Sequence, residues 1–203
     1  RQDAAGDEPA AAHYPVEIAH RHGTTEIAEP AARVVTVGLT DHDALLALGV
    51  TPVGITEWYG EQEDGLWPWA RAALQGEAPD VVGTSTELDF EAIAALDPDV
   101  IVGLYSALTE DDYETLSQIA PTVAQPDDHV DWGVPWQELT RTVGRLMDLE
   151  DEAETEIARV EDAFAEARAE HPELEGATAA IATPAEGIYV YSPEVANVRL
   201  LGS

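Results

Sequence analysis

Aromatic residues follow two of the predicted strands, at the points where each strand gives way to a loop. Trp58 and Tyr59 closely follow the strand-like segment TPVGI, and Tyr105 and Ser106 follow DVIVGL. Aromatic faces offer contact area to an organic ligand, and a hydroxyl group can fix its orientation. The placement predicts a ligand-binding surface, with Trp58 and Tyr105 in the most favourable positions.

Further tryptophans fall in predicted loops or at helix starts, outside the apolar stripes of the helices. Trp67, Trp69 and Trp132 are of this kind, and each is as consistent with packing as with ligand binding. Trp136 instead begins an apolar stripe at helical spacing, so we expect it in the core.

Polar candidates follow the first strand of the α/β pattern. Thr40 and Asp41 are expected to cap the next helix, and His42 is a candidate contact beside them. Arg71, in WPWARAAL, could offer its guanidinium group to the oxygen atoms of a ligand, although a surface helix position is the commoner role.

Several kinds of chemistry find no support in the sequence. Cysteine is absent, which excludes disulfides, thiolate metal sites and cysteine nucleophiles in this chain. The segment GTSTE departs from the nucleophile elbow because Glu87 replaces the final glycine, and no phosphate loop or dinucleotide fingerprint is present. His20 and His22 share one face of a predicted strand, but no third metal ligand is apparent. We expect no enzyme activity, no resident cofactor and no protein-bound metal.

Alternating short strands and helices from Arg33 onward must position these residues. This alternation predicts an α/β fold with a doubly wound, mostly parallel sheet. Ligands of such sheets bind at the loops beyond the carboxyl ends of the strands. Here those loops begin near Gly38, Thr56, Gly83 and Gly103.

Four regions are predicted along the chain. Residues 1–14 are rich in alanine and acid and are expected to form a disordered tether. Residues 15–149 form an N-terminal α/β lobe, and residues 150–172 form one long helix of roughly 33 Å. Residues 176–203 read as the first strands of a second, incomplete lobe, so we expect most of a C-terminal lobe to be missing.

The charge is strongly negative, since nine arginines and no lysine oppose 41 acidic residues, giving −32. Phosphate backbones would be repelled, which argues against a nucleic-acid partner. No apolar run approaches the roughly 20 residues that cross a bilayer.

Four segments together resemble a known family: HGTTEIAEPAARVVTVGLTDHDALLALGVTPVGI, LDFEAIAALDPDVIVG, YSALTEDDYETLSQIAPTVAQP and DWGVPWQELTRTVGRLMDLEDEAE. They are similar to the actinobacterial iron–siderophore substrate-binding lipoproteins of ABC importers, which are helix-hinged periplasmic binding proteins. The resemblance covers residues 16–200. The departure is the missing C-terminal lobe, which in the family supplies the other wall of the cleft.

The resemblance implies a ferric siderophore as the transported ligand, which already carries its own oxygen ligands for iron. Arg199 resembles the family's C-lobe ligand arginine by position, and Glu91 matches the N-lobe residue that docks onto the permease dimer. The candidate ligand contacts are then Thr40, His42, Trp58, Tyr59, Trp67, Arg71, Tyr105, Ser106, Trp132 and Arg199. The family also implies an extracytoplasmic monomer, held on the membrane by a lipid anchor upstream of Arg1.

Alternatives remain at this point. The absence of lysine favours a neutral or cationic hydroxamate complex over a trianionic catecholate. The same fold could carry haem or cobalamin, or the chain could be a lobe fragment without a ligand of its own. A more remote alternative is an α/β enzyme that uses Asp41 and His42.

Overall fold

The computed structural model describes residues 14–60, 62–84, 86–184 and 188–191. The described chain begins with an antiparallel hairpin of two strands, β1 (Val16–His20) and β2 (Gly23–Ile27). Gly23, at the turn, has φ of 135°, a conformation that glycine adopts readily. This is the hairpin that the alternating pattern around Gly23 predicts.

A five-stranded parallel sheet forms the centre of the molecule. Its strands are β3 (Val34–Thr36), β4 (Gly54–Glu57), β5 (Asp80–Thr84), β6 (Val100–Gly103) and β7 (Thr122–Ala124). They lie side by side in the order β5-β4-β3-β6-β7. The predicted α/β fold with a mostly parallel sheet is confirmed.

Helices connect the strands and cover both faces of the sheet. They are α1 (Asp41–Ala47), α2 (Pro68–Ala73), α3 (Phe90–Ala95), α4 (Glu110–Leu116) and α5 (Trp136–Met147). Val100 and Val102 of β6 belong to the apolar cluster that includes residues of α1 and α5. Ile101, which points to the other face, clusters with Ile93 of α3. Each face of this strand is therefore buried, as its continuous apolar run predicts.

A long helix, α6 (Glu150–Glu170), packs on α5, and the Gln137 side chain donates to Glu161 Oε1 at 3.3 Å. A Cβ atom at Gly144 would lie 2.7 Å from the Cβ of Ala153, so glycine permits the close approach of the two helices. Ala153 and Ile157 are buried, but Phe164 is only half-buried and Ala167 is exposed. The sequence predicts one apolar stripe along this helix, formed by Ala153, Ile157, Val160, Phe164 and Ala167. Only the first two of these side chains are fully buried.

The last described element is a short antiparallel hairpin of β8 (Ala182–Pro184) and β9 (Ile188–Val190), where two strands were predicted. Within the described residues, no helix combines the length and the apolar character needed to span a membrane.

Candidate functional site

The order of the strands creates a switch point at the carboxyl edge of the sheet. From β3 the chain moves to β4 and β5 on one side, and then to β6 and β7 on the other. β3 and β6 are neighbours, and the loops that follow them lead to opposite sides of the sheet. The crevice between two such loops is where α/β sheets bind ligands. The two loops are joined directly, because the Leu39 N–H donates to the Tyr105 carbonyl at 3.0 Å.

Asp41 bridges this switch point. Its side chain is fully buried and accepts hydrogen bonds from the Leu104 N–H at 2.7 Å and the Tyr105 N–H at 2.9 Å. Gly38 makes room for it, since a Cβ there would lie 2.2 Å from Asp41 Oδ2. Burial raises the pKa of Asp41 to about 7; the two hydrogen bonds oppose this increase, and neighbouring Asp43 adds to it.

The predicted capping of α1 by Thr40 and Asp41 is wrong. The Thr40 side chain makes no capping hydrogen bond. The Asp41 carboxyl points instead to the loop after β6, where its two oxygen atoms accept hydrogen bonds from two backbone N–H groups. Thr40 as a ligand contact stays a prediction.

His42 lies beneath the edge rather than on it, with 3% of its surface exposed. Its Nε2 is 3.7 Å from Asp43 Oδ1, and burial lowers the pKa of His42 while the nearby Asp43 raises it. Burial raises the pKa of Asp43, and His42 and the hydrogen bond from Trp69 lower it. A direct contact between His42 and a ligand would require α1 or its neighbours to move.

Four aromatic residues follow β4 and form one continuous group, which we call the aromatic ladder: Trp58, Tyr59, Trp67 and Trp69. Successive ring centroids are 4.8, 5.1 and 5.1 Å apart, and the planes of Trp67 and Trp69 are within 13° of parallel. Tyr59 is 57% exposed and Trp69 is 56% exposed. Trp69 Nε1 donates to Asp43 Oδ2 at 3.2 Å, which ties the ladder to α1.

Arg71 is engaged within its own segment. Its guanidinium donates to Asp64 Oδ2 at 3.1 Å and also to the Glu63 carbonyl, so it braces the turn at Glu63–Gly65. Its role as a ligand contact stays a prediction, but its charge is already balanced by neighbouring carboxylates.

Ser106 lies in a buried polar network that joins the loops after β6 and β7. Its hydroxyl donates to the Gly103 carbonyl at 2.6 Å and lies 3.1 Å from Gln125 Oε1. Gln125, which is fully buried, donates to Asp131 Oδ1 at 2.6 Å. The Trp132 N–H donates to the Ser106 carbonyl at 3.3 Å, which holds the partly exposed Trp132 above Ser106.

Tyr105 is half-buried between these loops. Burial raises the pKa of Tyr105, and the neighbouring Tyr191 and Asp41 side chains contribute to the increase. Tyr191 directly follows β9, so the last described hairpin approaches the same edge.

Two predicted residues lie elsewhere. Glu91 is exposed in the first turn of α3, where Asp89 caps the helix by accepting from the Ala92 N–H at 2.9 Å. Arg199 lies outside the described residues. Trp136, expected in the core, is only half-buried and lines a groove between α1, α5 and α6.

The histidine pair at the N-terminal hairpin is structural. β1 ends at His20, so His22 lies in the turn rather than on the same strand face. His20 Nε2 is 2.9 Å from Thr25 Oγ1, and His22 Nε2 is 3.1 Å from the Leu108 carbonyl oxygen. Both rings pack against Tyr113, and the His22 N–H donates to His20 Nδ1 at 3.3 Å, so both ring nitrogens of His20 are engaged.

Sequence reasoning missed the residues that organise the edge. Gln125 and Asp131 are separated in sequence from the candidates they hold, and nothing in their spacing points to that contact. A usable signal did exist for Asp41, because Gly38 stands three residues before it and an acid directly after a buried strand is costly without partners.

The comparisons with known proteins agree with this architecture. A family model described as "Periplasmic binding protein" matches residues 34–198. The structure of a periplasmic solute binding protein from Mycobacterium smegmatis is 36% identical, with a TM-score of 0.82 over 92% of this chain and 66% of that one. The structure of PiaA from Streptococcus pneumoniae TIGR4 in complex with ferrichrome is 27% identical, with a TM-score of 0.80 over 92% and 65%.

A relative in Bacillus subtilis strain 168, "Probable siderophore-binding lipoprotein YfiY", is 37% identical over 108 residues, which are 52% of this chain and 31% of YfiY. The chain therefore matches about a third of this relative and about two thirds of the solved structures. Since the family model matches most of the chain and the fold agrees throughout, the chain belongs to the periplasmic binding protein family.

Proposed function

We propose that this protein binds a ferric siderophore outside the cytoplasmic membrane and delivers it to an ABC importer. The aromatic ladder is the observation that carries the proposal. It lies at the carboxyl edge of a parallel sheet, is hydrogen-bonded to α1 through Trp69 and Asp43, and exposes two of its rings. Such a surface suits the organic shell of a complex that supplies its own oxygen ligands to iron.

The relatives support this class of ligand. PiaA was crystallised with ferrichrome, and YfiY is named for siderophore binding and as a lipoprotein. We also propose that this protein acts as a monomer on the outer face of the cytoplasmic membrane, held there by a lipid anchor. The description of YfiY as a lipoprotein supports the anchor.

The charges around the ladder favour one kind of ferric complex. Asp43, Glu63 and Asp64 lie at or beside the ladder, and the nearby Arg71 is already paired with Asp64. Three hydroxamates neutralise a ferric ion, whereas three catecholates leave a trianionic complex that these carboxylates would repel. A neutral or cationic hydroxamate complex is therefore the proposed ligand.

The first test is calorimetric titration of the protein with a ferric trihydroxamate and, separately, with a ferric tris-catecholate. We expect micromolar or tighter binding of the hydroxamate, about −8 kcal/mol or better, and weaker binding of the catecholate. Tight catecholate binding without hydroxamate binding would overturn the ligand class. Failure of both, while YfiY binds its ligand, would favour a lobe without a ligand of its own.

Matched tryptophan variants test the surface itself. Trp58→Leu removes a ring of the ladder, while Trp136→Leu removes a ring from the groove between α1, α5 and α6. We expect Trp58→Leu to weaken hydroxamate binding roughly tenfold, because losing about 50 Å² of apolar contact with the ligand costs about 1.3 kcal/mol. Trp136→Leu should leave the affinity unchanged; equal losses in both variants would count against the ladder.

Delivery to the importer is proposed to involve Glu91. Its carboxylate is exposed at the start of α3, where no predicted ligand contact lies on the same helix. Glu91→Arg should reduce siderophore-dependent uptake in cells while leaving the calorimetric affinity intact. A loss of affinity in this variant would contradict a docking role.

A further inference from the structure

A second group of ligating side chains lies in the loop between β7 and α5. Asp128, His129 and Glu138 bring one donor atom each to within 4.8 Å of the others. His129 Nε2 is 2.8 Å from Glu138 Oε2 and 3.8 Å from Asp128 Oδ1. Among the residues that the structure describes, no other three histidine or carboxylate side chains converge in this way.

The loop that carries these donors is anchored at three residues by Arg21 of the N-terminal hairpin. The Arg21 guanidinium donates to the His129 carbonyl at 3.0 Å and pairs with Asp131 at 2.6 Å. The Arg21 N–H donates to the Gln125 carbonyl at 3.0 Å, which fastens the start of the loop to the N-terminal hairpin. His129 and Glu138 therefore approach each other from a fixed loop and the first turn of a helix.

The spacing suits a small divalent ion. Donor atoms about 2.0–2.1 Å from a tetrahedral zinc ion lie roughly 3.3 Å apart. The two measured separations from His129 Nε2, 2.8 and 3.8 Å, bracket that value. An imidazole nitrogen with two carboxylate oxygens is a donor set that zinc accepts, and a water molecule would complete four ligands.

The groove beside these donors is lined by both carboxylates and arginines. Asp128 and Glu138 line a groove together with Glu17 and Asp127. Arg141 also lines it, but its guanidinium is engaged with Glu154 Oε1 at 2.6 Å. Arg145 lines the groove as well, so four carboxylates face two arginines there and the net charge of the groove is negative.

We propose that Asp128, His129 and Glu138 form a divalent transition-metal site, separate from the siderophore surface and independent of the proposed transport function. The ferric complex brings its own ligands, so this site does not serve to hold the transported iron. The bound ion would tie this loop to the first turn of α5, in addition to the anchoring by Arg21. Without a metal, His129 Nε2 and Glu138 Oε2 make the 2.8 Å hydrogen bond that the structure shows.

The test is calorimetric titration of the metal-free protein with zinc, with cobalt absorbance as a second readout. We expect one saturable site and the visible bands of a tetrahedral cobalt complex. His129→Gln should weaken zinc binding on the order of 100-fold, since changes even to outer-shell residues cost 10–100-fold. The matched control is His171→Gln, because His171 makes an exposed 3.2 Å pair with Glu173 at the end of α6.

His129→Gln could lose zinc binding through misfolding, so Asp128→Asn is a second test. The Asp128 side chain is 79% exposed, and its replacement should not disturb folding. It should also weaken zinc binding and abolish the tetrahedral cobalt bands. The proposal is overturned if no saturable site appears, or if both His129→Gln and Asp128→Asn bind zinc as tightly as His171→Gln does.

Discussion

Two neighbouring parts of the carboxyl edge are built in opposite ways. The loops after β3 and β6 are held by buried polar groups: Asp41 accepts two backbone N–H groups, and the Ser106 hydroxyl is buried between Gly103 and Gln125. The loop after β4 leads into the aromatic ladder, in which the Tyr59 and Trp69 rings are more than half exposed. The first part fixes geometry, and the second offers contact area. Changes in the first should cost folding stability, and changes in the second should cost ligand affinity.

The largest loss of stability is expected when the Asp41 carboxyl, which joins the loops after β3 and β6, is removed. Asp41→Ala leaves the Leu104 and Tyr105 N–H groups without their acceptor, so we expect the free energy of unfolding to fall by about 4 kcal/mol. Urea unfolding measures this loss. Thr40→Ala is the control, because Thr40 makes no capping bond; a comparable loss there would contradict a special role for Asp41.

The pH dependence of stability should carry the signature of Asp41. Its pKa rises from 3.8 to about 7 on folding, so the folded state binds the proton more tightly than the unfolded chain. This contribution is therefore present in full below about pH 4 and is lost as pH rises to 7, by up to about 4 kcal/mol.

Urea unfolding of the wild type and of Asp41→Asn should be measured from pH 4 to pH 7. Comparing the two proteins separates the contribution of Asp41 from that of the other carboxylates. The difference in stability between the two proteins should change with pH in the stated direction. A constant difference from pH 4 to pH 7 would show that Asp41 titrates normally.

Gly38 gives a sharper test, because its effect should depend on Asp41. Gly38→Ala places a Cβ 2.2 Å from Asp41 Oδ2, and such overpacking is expected to cost about 2 kcal/mol. In the Asp41→Ala background all three carboxyl atoms that Gly38 would meet are gone, so the same change should cost under about 0.5 kcal/mol. If the losses in the free energy of unfolding are additive in the double variant, the strain at Gly38→Ala does not come from the Asp41 carboxyl.

The smallest effect on stability is expected in the ladder. Tyr59→Ala removes an exposed ring, so the free energy of unfolding should change by no more than about 0.5 kcal/mol. Hydroxamate affinity should nevertheless fall several-fold, because the ring supplies apolar contact area worth about 1 kcal/mol. Calorimetry and urea unfolding of the same preparation separate the two quantities. A large loss of stability would mean that the ladder is part of the scaffold.

Much of the architecture could be predicted because it depends on local patterns. The continuous apolar run of β6 predicts a strand buried on both faces, and Val100 and Ile101 indeed pack on opposite sides of the sheet. Strand ends could be located in the same way, which identified Trp58 and Tyr105 as residues of the carboxyl edge. The assignment of Asp41 as a helix cap failed because the local pattern cannot reveal a partner more than sixty residues away.

The sequence by itself determined the element order, the parallel sheet and the edge that carries the candidate residues, because periodicity and turn residues act over a few positions. Only the tertiary structure decided which of those residues are buried, which are held by internal hydrogen bonds and which remain exposed. It buried His42, engaged Arg71 and Ser106 in internal hydrogen bonds, and joined four separate aromatic residues into one ladder. Those outcomes depend on which loops the crossover connections bring together, and a buried polar group takes whatever partner lies there.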